Sequence, residues 1–494
     1  MALLSSVFKT KISQVLLPIS KHSCFFCSKL PSNNSLVKDQ TLLSTFKKCV
    51  TLKDVKQVHA QIIQSGLDQN LYLMGKIIVF CAVSDRGSMD YAASVFKNLE
   101  SPDGFMWNTM IRGFVRTMQV KNIFGYFKKM QENGEKADNF SFSFLLKVSG
   151  QLGSVLLGKQ IHCSVVKHGL EGHVFVRNTL IHMYGMLKDI DTAQQLFDER
   201  PGGNVVTWNV IIDCHVNCGD YKGALECFSR MRRCGVDFDD VTLVAVLTAC
   251  SALGNLDFGR WIRRLADNAG MGSNVMVLNS LIDMYAKCGQ VEEAYKIFNA
   301  SSERNLVTWN SMILGLATHG HASEALKLFS NLLAEKLQVP NDVTFLGVLC
   351  ACSHGGMVEK GKKYFDLMTR EYGIKANIQH YGCVVDMLGR AGFVDEAYHF
   401  IRSMPLKCNA IVWRTLLAAC RVHGNVELGE VVRRHLLELE PDHSSDYVLL
   451  ANMYAGSGKW RDVMNERHAM STRGVQKPMP GNSIIDMQPI HGAF

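Results

Sequence analysis

Apolar positions recur at helical spacing in short bursts of about a dozen residues, broken by turn residues. Residues 205–239 show the unit. Val206, Trp208, Val210, Ile211 and Ile212 form one apolar face, and Asn217-Cys218-Gly219-Asp220 supplies a stop and then a new cap. Ala224, Phe228 and Met231 mark a second amphipathic helix, which Gly235 closes. Ala and Phe at i,i+4 make a packing pair, small against large. Two short helices cannot bury their own apolar faces, so neighbouring pairs must stack into an all-α superhelix with one continuous core.

The unit returns at a fixed interval. Trp107, Trp208 and Trp309 stand 101 residues apart, each followed by Asn (Asn108, Asn209, Asn310). Ala92/Phe96, Ala193/Phe197 and Ala294/Phe298 share the interval, as do Ala224/Phe228 with Ala325/Phe329 and Gly158 with Gly259. Independent landmarks on one period define a duplicated block. Aligning the Trp-Asn strings with Arg177-Asn178-Thr179-Leu180-Ile181 and Leu278-Asn279-Ser280-Leu281-Ile282 sets starts at 104, 139, 174, 205, 240, 275, 306, 342 and 378, after one at 71. The lengths run 35, 35, 31 twice, then 36, 36, 32.

That triplet, with Val206-Thr207-Trp208-Asn209, the string Asn279 to Gly289 and the string Asp342 to His354, resembles the PLS class of plant pentatricopeptide repeat proteins. The resemblance covers roughly residues 38–488. It implies a right-handed superhelical solenoid of tandem helix-turn-helix repeats, about 11 of them over 38–409. From Asn409 the chain departs from the repeat. The stretches from Asn409 and from Leu439 resemble two E-type motifs, placed at 410–474, with a tail at 475–494. Tetratricopeptide repeats have a similar helix-pair length, so a protein-binding scaffold of that kind is an alternative. The 35/35/31 triplet weighs against it.

Composition sharpens this reading. With 47% hydrophobic and 20% charged residues, the 494-residue chain has ample core material and is no disordered chain. The net charge of +8 is compatible with a polyanion partner without requiring one. No uncharged apolar run approaches the ~20 residues of a membrane span. The first residues lack Asp and Glu, are rich in Ser and carry Lys9, Lys11, Lys21 and Lys29. That composition predicts an organellar transit peptide at 1–37, for the mitochondrion or, alternatively, the chloroplast.

Candidate catalytic chemistry is missing. Of 16 cysteines, only Cys24 and Cys27 form a Cys-x-x-Cys, inside the leader, while Cys250, Cys352 and Cys420 each follow Ala at equivalent repeat positions. Structural thiols at tight helix contacts explain those three. None of the 17 histidines is followed by x-Glu, so the His/Cys/Cys zinc set and proton-moving Glu of a cytidine deaminase are not present in this sequence. The expectation is a non-enzyme with no metal or cofactor. His319, His321 and His354 sit near Gly in inter-helix turns and are given no metal role.

The resemblance also implies a site. Such repeats read about one base each through two or three side chains on a concave face, here the fifth residue of a repeat and its last. The pairs are Asn108/Asp138, Asn178/Asn204, Asn209/Asp239, Asn279/Asn305 and Asn310/Asn341. Asn with Asp resembles a uracil reader, and Asn with Asn a reader of either pyrimidine. Ser143/His173, Val244/Asn274 and Leu346/Asn377 fall outside the code, and Gly75/Asp103 and Gly382/Asn409 are weak. From residue 71 the array would read n-U-n-Y-U-n-Y-Y-n-n on single-stranded RNA, with an edited C four nucleotides beyond the final repeat. The plainer reading makes Asn after Trp a helix cap or a partner of neighbouring backbone. Recurrence at five repeats, paired with Asp or Asn each time, favours RNA. The recurring Trp and Phe are assigned to core packing rather than base stacking. Lys and Arg are spread along the chain, so no phosphate contact is assigned. The expected function is site recognition for C-to-U editing, with a deaminase recruited in trans through 410–474. Splicing, stability or translation of organellar RNA is the alternative outcome.

Overall fold

The computed structural model describes residues 42–199 and 203–476. The expected leader at 1–37 and the tail beyond 476 lie outside the described residues. Among the described residues every regular element is a helix. No helix there is long and apolar enough to cross a membrane.

Caps decide where the helices start. The first (A) helices of successive pairs begin at Gly104, Asn139, Val174, Val205, Asp240, Val275, Leu306, Asp342, Ile378 and Ala410. Each is preceded by Asp or Asn, except for His173 before Val174. Every one of those Asp and Asn side chains accepts from a backbone N–H of the first turn, whereas His173 accepts none. A cap of this kind is worth about 1 kcal/mol. Helix ends are as local: Gly219 follows Val205–Cys218 at φ +82, a left-handed turn that glycine adopts without strain.

The chain divides into two compact units at 258/259. In the first unit, A helices Leu71–Val83, Gly104–Arg116, Asn139–Leu152, Val174–Met186, Val205–Cys218 and Asp240–Leu253 pack each on the next. In the second, Val275–Lys287, Leu306–Thr318, Asp342–His354, Ile378–Arg390, Ala410–His423 and Ser444–Gly456 do the same. A B helix of similar or shorter length follows each A helix and, within each unit, packs back on it. The fold is thus a tandem helix-turn-helix solenoid in each unit. The stacking continues past residue 409, so the departure there lies in consensus and not in architecture.

The duplicated landmarks are core contacts. Ala92, Ala193, Ala224, Ala294 and Ala325 are fully buried. Phe96, Phe197 and Phe298 meet Trp107, Trp208 and Trp309 of the next repeat edge to face, with ring centroids 4.6, 4.7 and 5.0 Å apart. Small residues let A helices approach. A methyl group on Gly185 would stand 2.8 Å from Cys214 Cβ and 3.1 Å from its Cα. Cys250, Cys352 and Cys420 are fully buried and in no disulfide, and burial pushes Cys352 up to about 11 and Cys420 to about 12, so both stay neutral.

Candidate nucleic-acid interface

The fifth residue of a repeat lies in the second turn of its A helix. The last residue is the N-cap of the next A helix. Stacking A on A therefore brings together residues some 30 positions apart, and a three-residue network results. Asn209 Nδ2 donates to Asp239 Oδ1 at 2.9 Å, and Thr242 Oγ1 donates to Asn209 Oδ1 at 2.6 Å. Asp239 also caps its helix by accepting from the Thr242 backbone N–H at 2.9 Å. Asn108 Nδ2 lies 3.0 Å from both carboxylate oxygens of Asp138, and Ser141 Oγ donates to Asn108 Oδ1 at 2.7 Å. Asn310, Asn341 and Thr344 repeat the arrangement, at 3.1 and 2.7 Å.

These contacts fix the amide orientation. A carboxylate only accepts, so Nδ2 of Asn108 and Asn209 must face it, and Oδ1 is left to the hydroxyl. Asn341 Oδ1 already accepts the Thr344 N–H, so Asn310 must likewise present its Nδ2. The hydroxyl partners, fully buried at the third position of the following helix, were not among the residues expected from the sequence. Their signal was the spacing Asp/Asn-x-x-Ser/Thr, that of a capping box.

The two 31-residue repeats end differently. Asn279 Nδ2 donates to Asn305 Oδ1 at 3.3 Å, but Thr308 Oγ1 sits 3.0 Å from Asn305 Oδ1 and makes no bond to Asn279. Asn279 Oδ1 is buried with no hydrogen-bond partner among the described residues, and so is Asn178 Oδ1. Asn204 accepts from Thr207 N–H at 3.1 Å, and no bond joins it to Asn178 among the described residues. The structure thus brings four of the five expected pairs into hydrogen-bond contact.

The plain capping reading is corrected in one respect. Asn108, Asn178, Asn209, Asn279 and Asn310 lie inside their helices and cap nothing, and at 1–8% exposure they are held rather than displayed. Capping belongs to their partners at the repeat ends. The middle repeats form no such pair. Ser143 Oγ donates back to Asn139 O at 2.7 Å within its own helix, and Val244 and Leu346 have no polar group to offer. Histidines at the turns serve as ties, as His354 Nδ1 does with Ala317 O at 2.8 Å. No group of His, Cys, Asp and Glu among the described residues could hold a metal.

Known sequences bear on this arrangement directly. The PPR repeat family matches residues 102–149 and 203–252, the PPR repeat matches 175–199, 277–306, 307–337, 343–372 and 380–408, and the E motif matches 423–486. An Arabidopsis thaliana pentatricopeptide repeat-containing protein, named as chloroplastic/mitochondrial, is 40% identical over 92% of this chain and 73% of its own length. The chain belongs to the pentatricopeptide repeat family. A second Arabidopsis pentatricopeptide repeat-containing protein, named as chloroplastic, is 38% identical over 93% of this chain and 76% of its own. Among solved structures, the pentatricopeptide repeat protein PPR10 from maize aligns with a TM-score of 0.49 at 17% identity, covering 89% of this chain and 74% of that one. PPR10 in complex with an 18-nt psaJ RNA element aligns with a TM-score of 0.46 at 16% identity, covering 96% and 79%. In this pentatricopeptide repeat chain the E motif match takes in the helices Val426–Leu439, Ser444–Gly456 and Trp460–Thr472. Arg414, on Ala410–His423 just before the matched stretch, ties into it: its Nε donates to the buried Asp446 at 2.7 Å and its Nη2 to Glu440 at 2.6 Å.

Proposed function

We propose that this protein binds single-stranded RNA in a plant organelle, the mitochondrion first and the chloroplast as the alternative. Its role would be to address a cytidine for C-to-U editing by a deaminase supplied in trans. The observation that carries the reading is the recurrent bridge between a fifth-position Asn amide and the cap of the next repeat. In it Asn108/Asp138, Asn209/Asp239, Asn279/Asn305 and Asn310/Asn341 each hold a planar amide, at four of the A-helix junctions. Planar donor and acceptor groups at repeat spacing suit base edges splayed one at a time. Asn178/Asn204 belongs to the same set by position. The match to the E motif at 423–486 supports the editing role, in which 410–474 would dock the partner, and the organelle names of the relatives support the compartment.

Two measurements test this. Binding of oligonucleotides permuted at single positions should show U favoured at the Asn108/Asp138 and Asn209/Asp239 registers and either pyrimidine at the others. Equal affinity for all permutations would sink the code. Transcriptome sequencing of both organelles from plants lacking the protein should show one or a few cytidines left unedited downstream of such a site. Intact editing with altered splicing or transcript ends would keep the RNA reading and remove the editing role.

A further inference from the structure

Arg112 lies one helical turn beyond Asn108 on Gly104–Arg116, and Lys147 lies one turn beyond Ser143 on Asn139–Leu152. Each is the ninth residue of its repeat, on A helices that pack together. Both are partly buried. Neither has a hydrogen bond or ion pair among the described residues, unlike the nearby Arg116, which donates to Ala82 O at 3.3 Å and to Asp85 at 3.1 Å. Burial pulls the pKa of both down, the charge of Arg112 adds to the effect on Lys147, and no carboxylate offsets either. Two partly buried cations at the same register of packed helices, with no counter-charge among the described residues, are a cost that folding alone does not explain.

The same position elsewhere is treated differently. Asp213 accepts from Asn217 at 2.7 Å, Asp283 from Lys287 at 2.7 Å, and Asp386 from Ser353 at 2.6 Å and Arg390 at 2.8 Å. Among the charged side chains described at this position, the two cations are the ones left open. Guanidinium and ammonium are donors without acceptor capacity, so their complement is an oxyanion rather than a base edge.

We infer that Arg112 and Lys147 together bind one phosphodiester of the RNA strand where it passes from the repeat at 104–138 to the repeat at 139–173. The assignment rests on the RNA reading and adds a backbone anchor to it. A phosphate here positions the strand so that the base before it meets Asn108, and carries no sequence information itself.

The test is the salt dependence of affinity of the full chain for the wild-type optimum oligonucleotide and for a scrambled one. With single strands, each neutralised phosphate contributes about 0.7 to the slope of log affinity against log salt. The double variant Arg112→Gln/Lys147→Gln should lower the slope by about 0.7 and weaken both oligonucleotides by the same factor. The charge swap Arg112→Lys/Lys147→Arg should keep the wild-type slope. Asn209→Ala should change base preference while leaving the slope alone. Thermal melting of the double variant should be no lower than wild type, because it removes unpaired charge. An unchanged slope in the double variant, or a swap that loses as much as the double variant, overturns the phosphate assignment while RNA binding stands. Failure of the wild type to bind any oligonucleotide overturns the RNA reading and this inference with it.

Discussion

Thr344→Val separates a structural network from a simple cap. Valine matches threonine in shape, so the change removes a hydroxyl and little else. Thr344 is fully buried, and its Oγ1 donates to Asn310 Oδ1 at 2.7 Å and accepts the Asn341 N–H at 3.1 Å. Without it, the amide oxygen of Asn310, itself 1% exposed, has no partner. A lost net hydrogen bond plus a stranded buried acceptor should cost about 1–3 kcal/mol. Thr308→Val is the matched control in the same unit. Thr308 is as buried, yet its hydroxyl bonds only Asn305, whose side chain is exposed and can turn to water. That loss should be held to about 0.5–1 kcal/mol. Local opening free energies from amide hydrogen exchange over 306–354 are the right assay, since a repeat array need not unfold in one step. In an Asn310→Ala background the Thr344→Val penalty should shrink by about 1 kcal/mol, the coupling of a contacting pair. Equal penalties for the two threonines, or a cycle with no coupling, would refute the argument that the hydroxyl orients the amide.

Gly185→Ala should destabilise the packing of Val174–Met186 on Val205–Cys218 by about 1–3 kcal/mol, because the added methyl meets Cys214 Cα and Cβ. Gly125→Ala, in an exposed helix interior with nothing within 4 Å, should instead gain about 0.5–1 kcal/mol, and chemical denaturation of both variants checks the sign. Arg414→Ala should cost about 3 kcal/mol by leaving the buried Asp446 carboxylate with only the half-exposed His443, at 3.3 Å, beside it, and Asp446→Asn should restore part of the loss; exchange protection across 444–456 that stays at wild-type level would contradict this. His380 is fully buried, its Nδ1 accepting the Asn377 N–H and its Nε2 donating to Asp342 O, and burial holds its pKa below 6.5. The unfolded chain therefore takes up the proton first, so this contribution is complete above pH 6.5 and declines as pH falls below it. His380→Gln should flatten that part of the stability profile, and superimposable profiles would count against it.

Much of this fold was legible in the sequence because the signals that start and stop its helices are local. Asp103, Asp138 and Asp239 stand immediately before their helices, and the Ala/Phe pairs lie one turn apart, so caps and apolar faces could be read from short windows. The site was only half legible. That Asn209 and Asp239 belong together came from a family resemblance, since no helical period relates residues 30 apart. Thr242 was overlooked because a capping box accounts for it fully, and its second bond, to Asn209, appears only once A helices stack. Arg112 and Lys147 were invisible for the same reason: 35 positions apart, they look like scattered charge until their helices pack together.

The capping and base-reading interpretations of the repeat ends are not rivals, because one side chain serves both. Asp239 accepts a backbone N–H and the Asn209 amide on the same oxygen, so the group that starts one helix also orients the residue in the previous one. A cap alone does not make a site: Asn274 and Asn377 cap their helices while Val244 and Leu346 offer them no amide to hold. The unequal lengths of the triplet then acquire a chemical meaning. The repeats starting at 104, 205 and 306 end in a closed junction, where a hydroxyl locks the amide oxygen and any ligand meets only a donor of fixed direction. The repeats starting at 174 and 275 end in an open one, where the oxygens of Asn178 and Asn279 lack a partner and the amide has both edges to offer. The repeats between offer neither. Under the proposed RNA reading, bases are therefore met by three different hydrogen-bond environments in strict rotation. Thr308→Val should accordingly leave base preference at its junction unchanged, whereas Thr344→Val should relax it at Asn310.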